Sequence, residues 1–186
     1  MKFFKHLHHH SELNAVQFVT FRTQDSLDDF LKKLINSNIE ISKKQWQIDQ
    51  YVDKSPKGAY LNADKIKLLA SYLKELESEF YDLIAFSIMP NHVHLLFTQK
   101  QELSVIMQKV KGKSAIFLNE ALGKKGTFWQ KDYYDKKITD ERHFRMAYGY
   151  IENNALKAKL KDADERFYGL YDNMETRLQS RTKPKK

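Results

Sequence analysis

Residues 81–98 restrict this chain more than any other segment. Two apolar runs, Tyr81-Asp82-Leu83-Ile84-Ala85-Phe86-Ser87-Ile88-Met89 and His92-Val93-His94-Leu95-Leu96-Phe97-Thr98, are separated only by Pro90-Asn91. Proline has no N–H to give a central strand ladder, and Pro and Asn are turn residues. The segment therefore predicts a β-hairpin with a short turn. Side chains alternate along a strand, so His92, His94 and Leu96 point one way and Val93, Leu95 and Phe97 the other.

The rest of the chain supplies partners for that hairpin. Ala15–Arg22 is rich in β-branched and aromatic residues and reads as a first strand. Leu27, Phe30, Leu31, Leu34 and Ile35 have helical spacing, and Ile66, Leu69, Leu73, Leu76 and Phe80 mark an amphipathic helix from Ala63, with Asn62 as its expected N-cap. Residues 38–62, with Pro56 and Gly58, read as an insertion or long connection. Leu103–Leu122 predicts a further helix, and Thr127-Phe128-Trp129-Gln130 towards Ile138 a further strand. The order matches the ferredoxin-like βαββαβ unit of the α+β class, an antiparallel sheet with helices on one face. One more helix follows, capped by Thr139 or Asp140 and opening on Glu141, with Phe144, Ala147, Tyr148, Ile151 and Ala155 as its buried stripe. The expected organisation is a His-rich segment over 1–14, one domain over 15–165 with its insertion at about 38–62, and a basic tail over 166–186. That tail carries Arg177, Arg181, Lys183, Lys185 and Lys186 and is expected to be mobile.

If the two helices of the βαββαβ unit cover one face, the wholly apolar set Val93, Leu95 and Phe97 belongs beneath them. Both imidazoles then lie on the open face, close enough to share one metal ion, although imidazole pairs do not choose the ion. His6-Leu7-His8, beside His9 and His10, has the same spacing but precedes the first strand and lacks an apolar framework to fix it. On the last helix Tyr150 and Asn154 are four residues apart and share a face beside the buried stripe. If this helix crosses the open face, Asn154 can offer a carbonyl oxygen to the metal while Tyr150 presents its hydroxyl nearby. Tyr133, Tyr134, Tyr148 and Tyr168 are rival hydroxyls, and sequence proximity does not choose among them.

Composition narrows the partner. The 186 residues carry 32 Lys+Arg against 24 Asp+Glu, a net charge of +8, which favours a polyanion such as nucleic acid. The absence of cysteine excludes disulfides and thiolate-held zinc. No run reaches transmembrane length and no signal-peptide core is found, so a cytoplasmic location is expected.

Met89-Pro90-Asn91-His92-Val93-His94-Leu95-Leu96 resembles the HUH signature of single-tyrosine transposases, most closely the REP-associated group. Val19-Thr20-Phe21-Arg22, Phe128-Trp129-Gln130 with Tyr133-Tyr134-Asp135, and Tyr150-Ile151-Glu152-Asn153-Asn154 agree in order and spacing, so the resemblance spans about 15–160. It implies that His92, His94 and Asn154 hold Mg²⁺ or Mn²⁺ and that Tyr150 is the nucleophile. It further implies a single-strand DNA nuclease and strand-transferase working through a 5′-phosphotyrosine and acting on hairpin-containing repeats. The family usually has Asn-Pro where this chain has Asn154-Ala155. Arg22, Lys109, Lys111, Lys113, Lys124, Lys125, Lys131, Lys136 and Lys137 are candidate phosphate contacts, and Trp129 or Tyr133 candidate platforms for unpaired bases. The alternative function is a non-catalytic, domesticated hairpin-binding protein, and a monomer is expected rather than a homodimer.

Overall fold

The computed structural model describes residues 9–171, so His6-Leu7-His8 and the basic residues from Arg177 onwards lie outside the described residues. Five strands, β1 (Val16–Arg22), β2 (Tyr81–Ile88), β3 (His92–Gln99), β4 (Tyr134–Ile138) and β5 (Phe167–Gly169), pair antiparallel in the order β4-β1-β3-β2-β5. The first four strands have the expected ferredoxin-like order. The β2–β3 turn is Met89-Pro90-Asn91, closed by a 2.9 Å hydrogen bond from the Met89 N–H to the His92 carbonyl.

Alternation along β3 sorts the side chains as the sequence predicts. Val93, Leu95 and Phe97 join Val19 and Phe21 of β1 beneath α3 (Asp64–Glu75) and α4 (Leu103–Ala121) in the larger core. Leu96, Phe18 and Ala85 form a second core with Tyr148 and Ile151 of α5 (Glu141–Lys157), which covers the opposite face. Each fully buried leucine or phenylalanine contributes about 1.5–3 kcal/mol, and a register slip of one residue would exchange the two faces. The β1–β3 register pairs Thr20 with His94 and Arg22 with His92, which sets four polar side chains beneath the final helix. Asp140 caps that helix by accepting from the His143 N–H at 2.8 Å.

Four expectations need correction. The supposed connection at 38–62 contains α2 (Ile41–Val52), capped by the Glu40 side chain and packed through Ile48 and Val52 on Leu31 of α1 (Asp29–Ile35). Its buried face also holds Gln45 and Asp49, and these polar residues break the apolar period that marks a helix. Gly58 returns the chain past β1 with φ of +66°, where a Cβ would lie 2.6 Å from the Ser26 nitrogen.

Asn62 does not cap α3; Ala63 occupies that position, and the Asn62 side-chain oxygen Oδ1 accepts from Arg166 at 2.8 Å. The strand anticipated from Thr127 begins only at Tyr134, with Trp129 making a single bridge to Thr23. The fold also continues past 165 into α6 (Ala163–Arg166) and β5. Arg166 is buried there and donates to the Leu61 and Ile88 carbonyls at 2.9 Å each.

Candidate active site

Both imidazoles are buried on the α5 face, with their Nε2 atoms 3.1 Å apart. Asn91 sets the protonation of one of them. Its side-chain nitrogen donates to the carbonyls of Val52, Ser55 and Lys57, at 3.0, 3.0 and 3.3 Å. Its oxygen is thereby turned to His92 Nδ1, 2.9 Å away. An amide oxygen only accepts, so His92 carries its proton on Nδ1 and turns its Nε2 lone pair towards His94 Nε2. His94 Nδ1 lies 2.8 Å from the Thr20 hydroxyl, which can donate or accept and so permits either tautomer.

Burial pushes both imidazoles down, His94 to about 3, with Arg22 adding to the effect on each and His94 also acting on His92. At neutral pH both are uncharged, the state a metal requires of a ligand.

α5 brings Tyr150 against this pair. Its ring stands edge-on to His94, centroids 5.1 Å apart, and also meets Phe18 at 6.2 Å. Its hydroxyl donates to Asp49 Oδ2 at 2.9 Å. Burial, then the Asp49 carboxylate, hold the phenol well above its ordinary pKa. Asp49 is itself buried and pushed up to about 7, because desolvation outweighs the opposing Arg22 charge and the Tyr150 hydrogen bond. Asn154, one turn beyond Tyr150, is 3% exposed; its amide lies beside the Tyr150 phenol and opposes the rise in that group's pKa, while its side-chain nitrogen makes no well-aligned hydrogen bond.

The rival tyrosines go elsewhere in three cases. Tyr133 stacks under His9 at 4.0 Å, Tyr148 donates to the Tyr171 carbonyl at 2.6 Å, and Tyr168 lies under Lys74. Tyr134, paired with Thr20, shares the His94 face. His9 is held more firmly than its position before β1 suggests, because Asp135 and Asp132 engage its two ring nitrogens.

Two carboxylates complete the site, and neither was singled out in the sequence. Asp53, four residues after Asp49, has an Oδ1 that is buried without a hydrogen-bond partner and lies 3.5 Å from His92 Nε2. Burial raises Asp53 to about 6. The four-residue spacing of Gln45, Asp49 and Asp53 is the signal that could have exposed this stripe. Arg22 is also buried, and its Nε and Nη1 have no partner. Among the described residues no group of three or more His, Asp or Glu side chains closes around one point. The donors that do converge, two neutral imidazoles with an orphaned carboxylate oxygen beside them and a buried amide on the helix of Tyr150, suit a divalent cation with nitrogen and oxygen ligands.

The anticipated DNA contacts are scattered. Trp129 is 3% exposed, packs on Phe21 at 4.8 Å and donates to Ser114, so it is a core residue and offers no stacking face. Tyr133 is likewise buried. Lys109, Lys111 and Lys113 stand on α4, on the far side of the sheet from Tyr150. Lys111 donates to the Lys131 carbonyl, while Lys113 pairs with Glu75 and Lys124 with Asp25. Lys125 and Lys131 are exposed.

Comparison with known proteins bears on the family and the fold. A family model described as "Transposase IS200 like" matches residues 56–154, just over half of the chain, from the approach to α3 through Asn154. No curated protein matches. Among solved structures, a REP-associated tyrosine transposase bound to a REP hairpin superposes with a TM-score of 0.51 at 15% identity, covering 83% of this chain and 74% of that one. A crystal structure of a candidate transposase from Deinococcus radiodurans R1 gives a TM-score of 0.45 at 17% identity, covering 78% of this chain and 92% of that one. With the hairpin histidines and the helix-borne tyrosine on one face of a ferredoxin-like sheet, and the family model spanning both, this chain belongs to the IS200-like transposase family.

Proposed function

We propose that the protein cuts and rejoins single-stranded DNA through a 5′-phosphotyrosine on Tyr150, acting on hairpin-containing repeats. The observation that carries this reading is the place of the Tyr150 phenol, packed edge-on to His94 and hydrogen-bonded to a buried carboxylate. The hairpin preference draws support from the REP-hairpin complex of the structural neighbour.

A phosphodiester repels nucleophiles because its oxygens are negative. The unpartnered Nε and Nη1 of Arg22 are groups that a phosphate oxygen would satisfy. His92, His94 and Asn154 would hold Mg²⁺ or Mn²⁺, with Asp53 beside them. Such an ion, when bound, neutralises phosphate charge and polarises the phosphorus. A phenol at neutral pH must lose its proton to attack, and Asp49 Oδ2 is its acceptor at 2.9 Å. The phenol oxygen then bonds to phosphorus as the bond from phosphorus to the 3′ oxygen breaks. That oxygen takes a proton from water and leaves as a free 3′-hydroxyl. Reversal with another 3′-hydroxyl joins strands and returns the proton to Tyr150, with no external energy source. Lys125 and Lys131 remain as outlying phosphate contacts.

The test uses a labelled hairpin oligonucleotide with single-stranded flanks and Mn²⁺, with denaturing electrophoresis to detect a covalent adduct. Adduct is expected from the unsubstituted protein, Tyr133→Phe and Tyr134→Phe, and none from Tyr150→Phe. Persistence in Tyr150→Phe would move the nucleophile to another hydroxyl. Absence from every protein on every substrate would leave the hairpin-binding alternative.

A further inference from the structure

α2 lies outside the region matched by the family model, yet one edge of it forms a wall of the active site. At 100° per residue, Trp46 stands about 60° from Asp49 and about 20° from Asp53 around the helix axis. Ile48, which packs towards α1, is about 160° away. Trp46 therefore rises from the flank of α2 that faces Tyr150 and His92, just outside the buried stripe. It is 59% exposed, whereas the other tryptophan, Trp129, is core. An indole this exposed has given up burial of a large apolar surface.

α5 repeats the pattern. Met146 is about 40° from Tyr150 around the axis and one turn nearer the N-terminus, and it is 64% exposed. The two helices run the same way. The N-cap of α2, Glu40, feels the charge of Lys136 on β4, and α5 starts directly after β4. At their other ends, the Val52 carbonyl accepts from Asn91, while Ala155 packs on Met89 in the same turn. The Asp49–Tyr150 hydrogen bond ties them midway. One turn back from that tie, towards β4, Trp46 and Met146 project exposed from the neighbouring flanks of α2 and α5. Beside Met146 lies an open cavity of about 310 Å³ at the β4–α5 corner, lined among others by Lys136, Asp140, Arg142 and His143 and by no residue of α2. Lys137 and Arg145 are taken up by Glu12 and Glu141. Lys136 and Arg142 form no ion pair among the described residues. From Tyr150 back to Arg142 is about 12 Å along the helix.

We propose that the surface spanned by these flanks of α2 and α5 is the bed for the unpaired DNA strand beside the cut, with one base stacked on Trp46 against Met146 and flanking phosphates on Lys136 and Arg142. This rests on the reading of Tyr150 as the nucleophile. Cations beside an aromatic platform suit a single strand, whose phosphates need charge and whose free bases need a flat face. The same cations would repel a second copy of this chain, which has a net charge of +8. A paired base inside a duplex has no free face to offer, so the bed selects unpaired DNA with little sequence preference.

Two tryptophans, one exposed and one core, make this surface readable by emission. The protein is titrated without metal with a mixed-sequence single-stranded oligonucleotide and, separately, with its duplex. The expected result is quenching by the single strand alone, retained in Tyr150→Phe and absent in Trp46→Leu. Trp46→Leu should weaken single-strand binding about tenfold to a hundredfold. Arg142→Gln should lower the salt slope of binding by about one. Circular dichroism should show both variants folded, since both positions are at the surface. Single-strand binding without quenching, or with unchanged affinity in Trp46→Leu, would overturn the bed, as would an emission change driven by protein concentration alone. Adduct formation without quenching would discard the bed and keep the phosphotyrosine reading. Quenching without adduct would keep the bed and discard that reading.

Discussion

Replacing Asp49 by asparagine should remove a loss of stability that the metal-free protein suffers as pH rises, while disabling it. Burial raises the Asp49 carboxyl from the ordinary 3.8 to about 7 even with Arg22 nearby. Between those two values the folded protein keeps a proton that the unfolded chain has released, so stability falls as pH rises through the window and is flat on either side. At 1.36 kcal/mol per decade of pH the loss amounts to about 4 kcal/mol. Asparagine cannot ionise. Its advantage over aspartate should therefore be about 4 kcal/mol larger at pH 8 than at pH 4, whatever fixed cost the amide brings to the hydrogen bonds of Tyr150 and Gln45. For a chain of this size that is a difference of roughly 10 °C in Tm. His92 and His94 act in the opposite sense, costing stability as pH falls below 6.5 because the unfolded imidazoles take up protons. Both proteins carry them, so they cancel in the comparison. Urea or thermal unfolding in EDTA at each pH from 4 to 8 measures the difference. The same variant should form adduct about 10²–10⁴-fold more slowly, having lost its proton acceptor. A stability difference that does not change with pH would refute the argument that Asp49 is buried and charged at alkaline pH, and an undiminished adduct rate would refute its role.

Asn91→Ala frees the His92 tautomer and unties the end of α2, and should weaken Mn²⁺ binding by about 10- to 100-fold in calorimetric titration. Gly169→Ala places a methyl group inside van der Waals contact with the Tyr148 hydroxyl and the Phe167 ring beneath α5. It should cost about 1–3 kcal/mol, read as a lower urea midpoint at unchanged slope; an unchanged midpoint would mean β5 yields freely.

The amino-acid sequence determined the frame. Alternation along 92–98 and the Pro90-Asn91 break settled which face each side chain takes, because a strand has a period of two and a proline interrupts a ladder. Helical spacing did the same for α3, α4 and α5, and the four-residue step from Tyr150 to Asn154 put both on one edge. What the tertiary structure decided is what surrounds that edge. α2 was hidden because its buried face mixes Gln45 and Asp49 with Ile48 and Val52, so no apolar period announces it. The hydrogen bond from Tyr150 to Asp49 joins residues 101 positions apart in sequence. Trp129 and Trp46 show the same divide: nothing local distinguishes a core indole from an exposed one. Burial is set by what packs opposite, and that is a property of the assembled fold rather than of neighbouring residues.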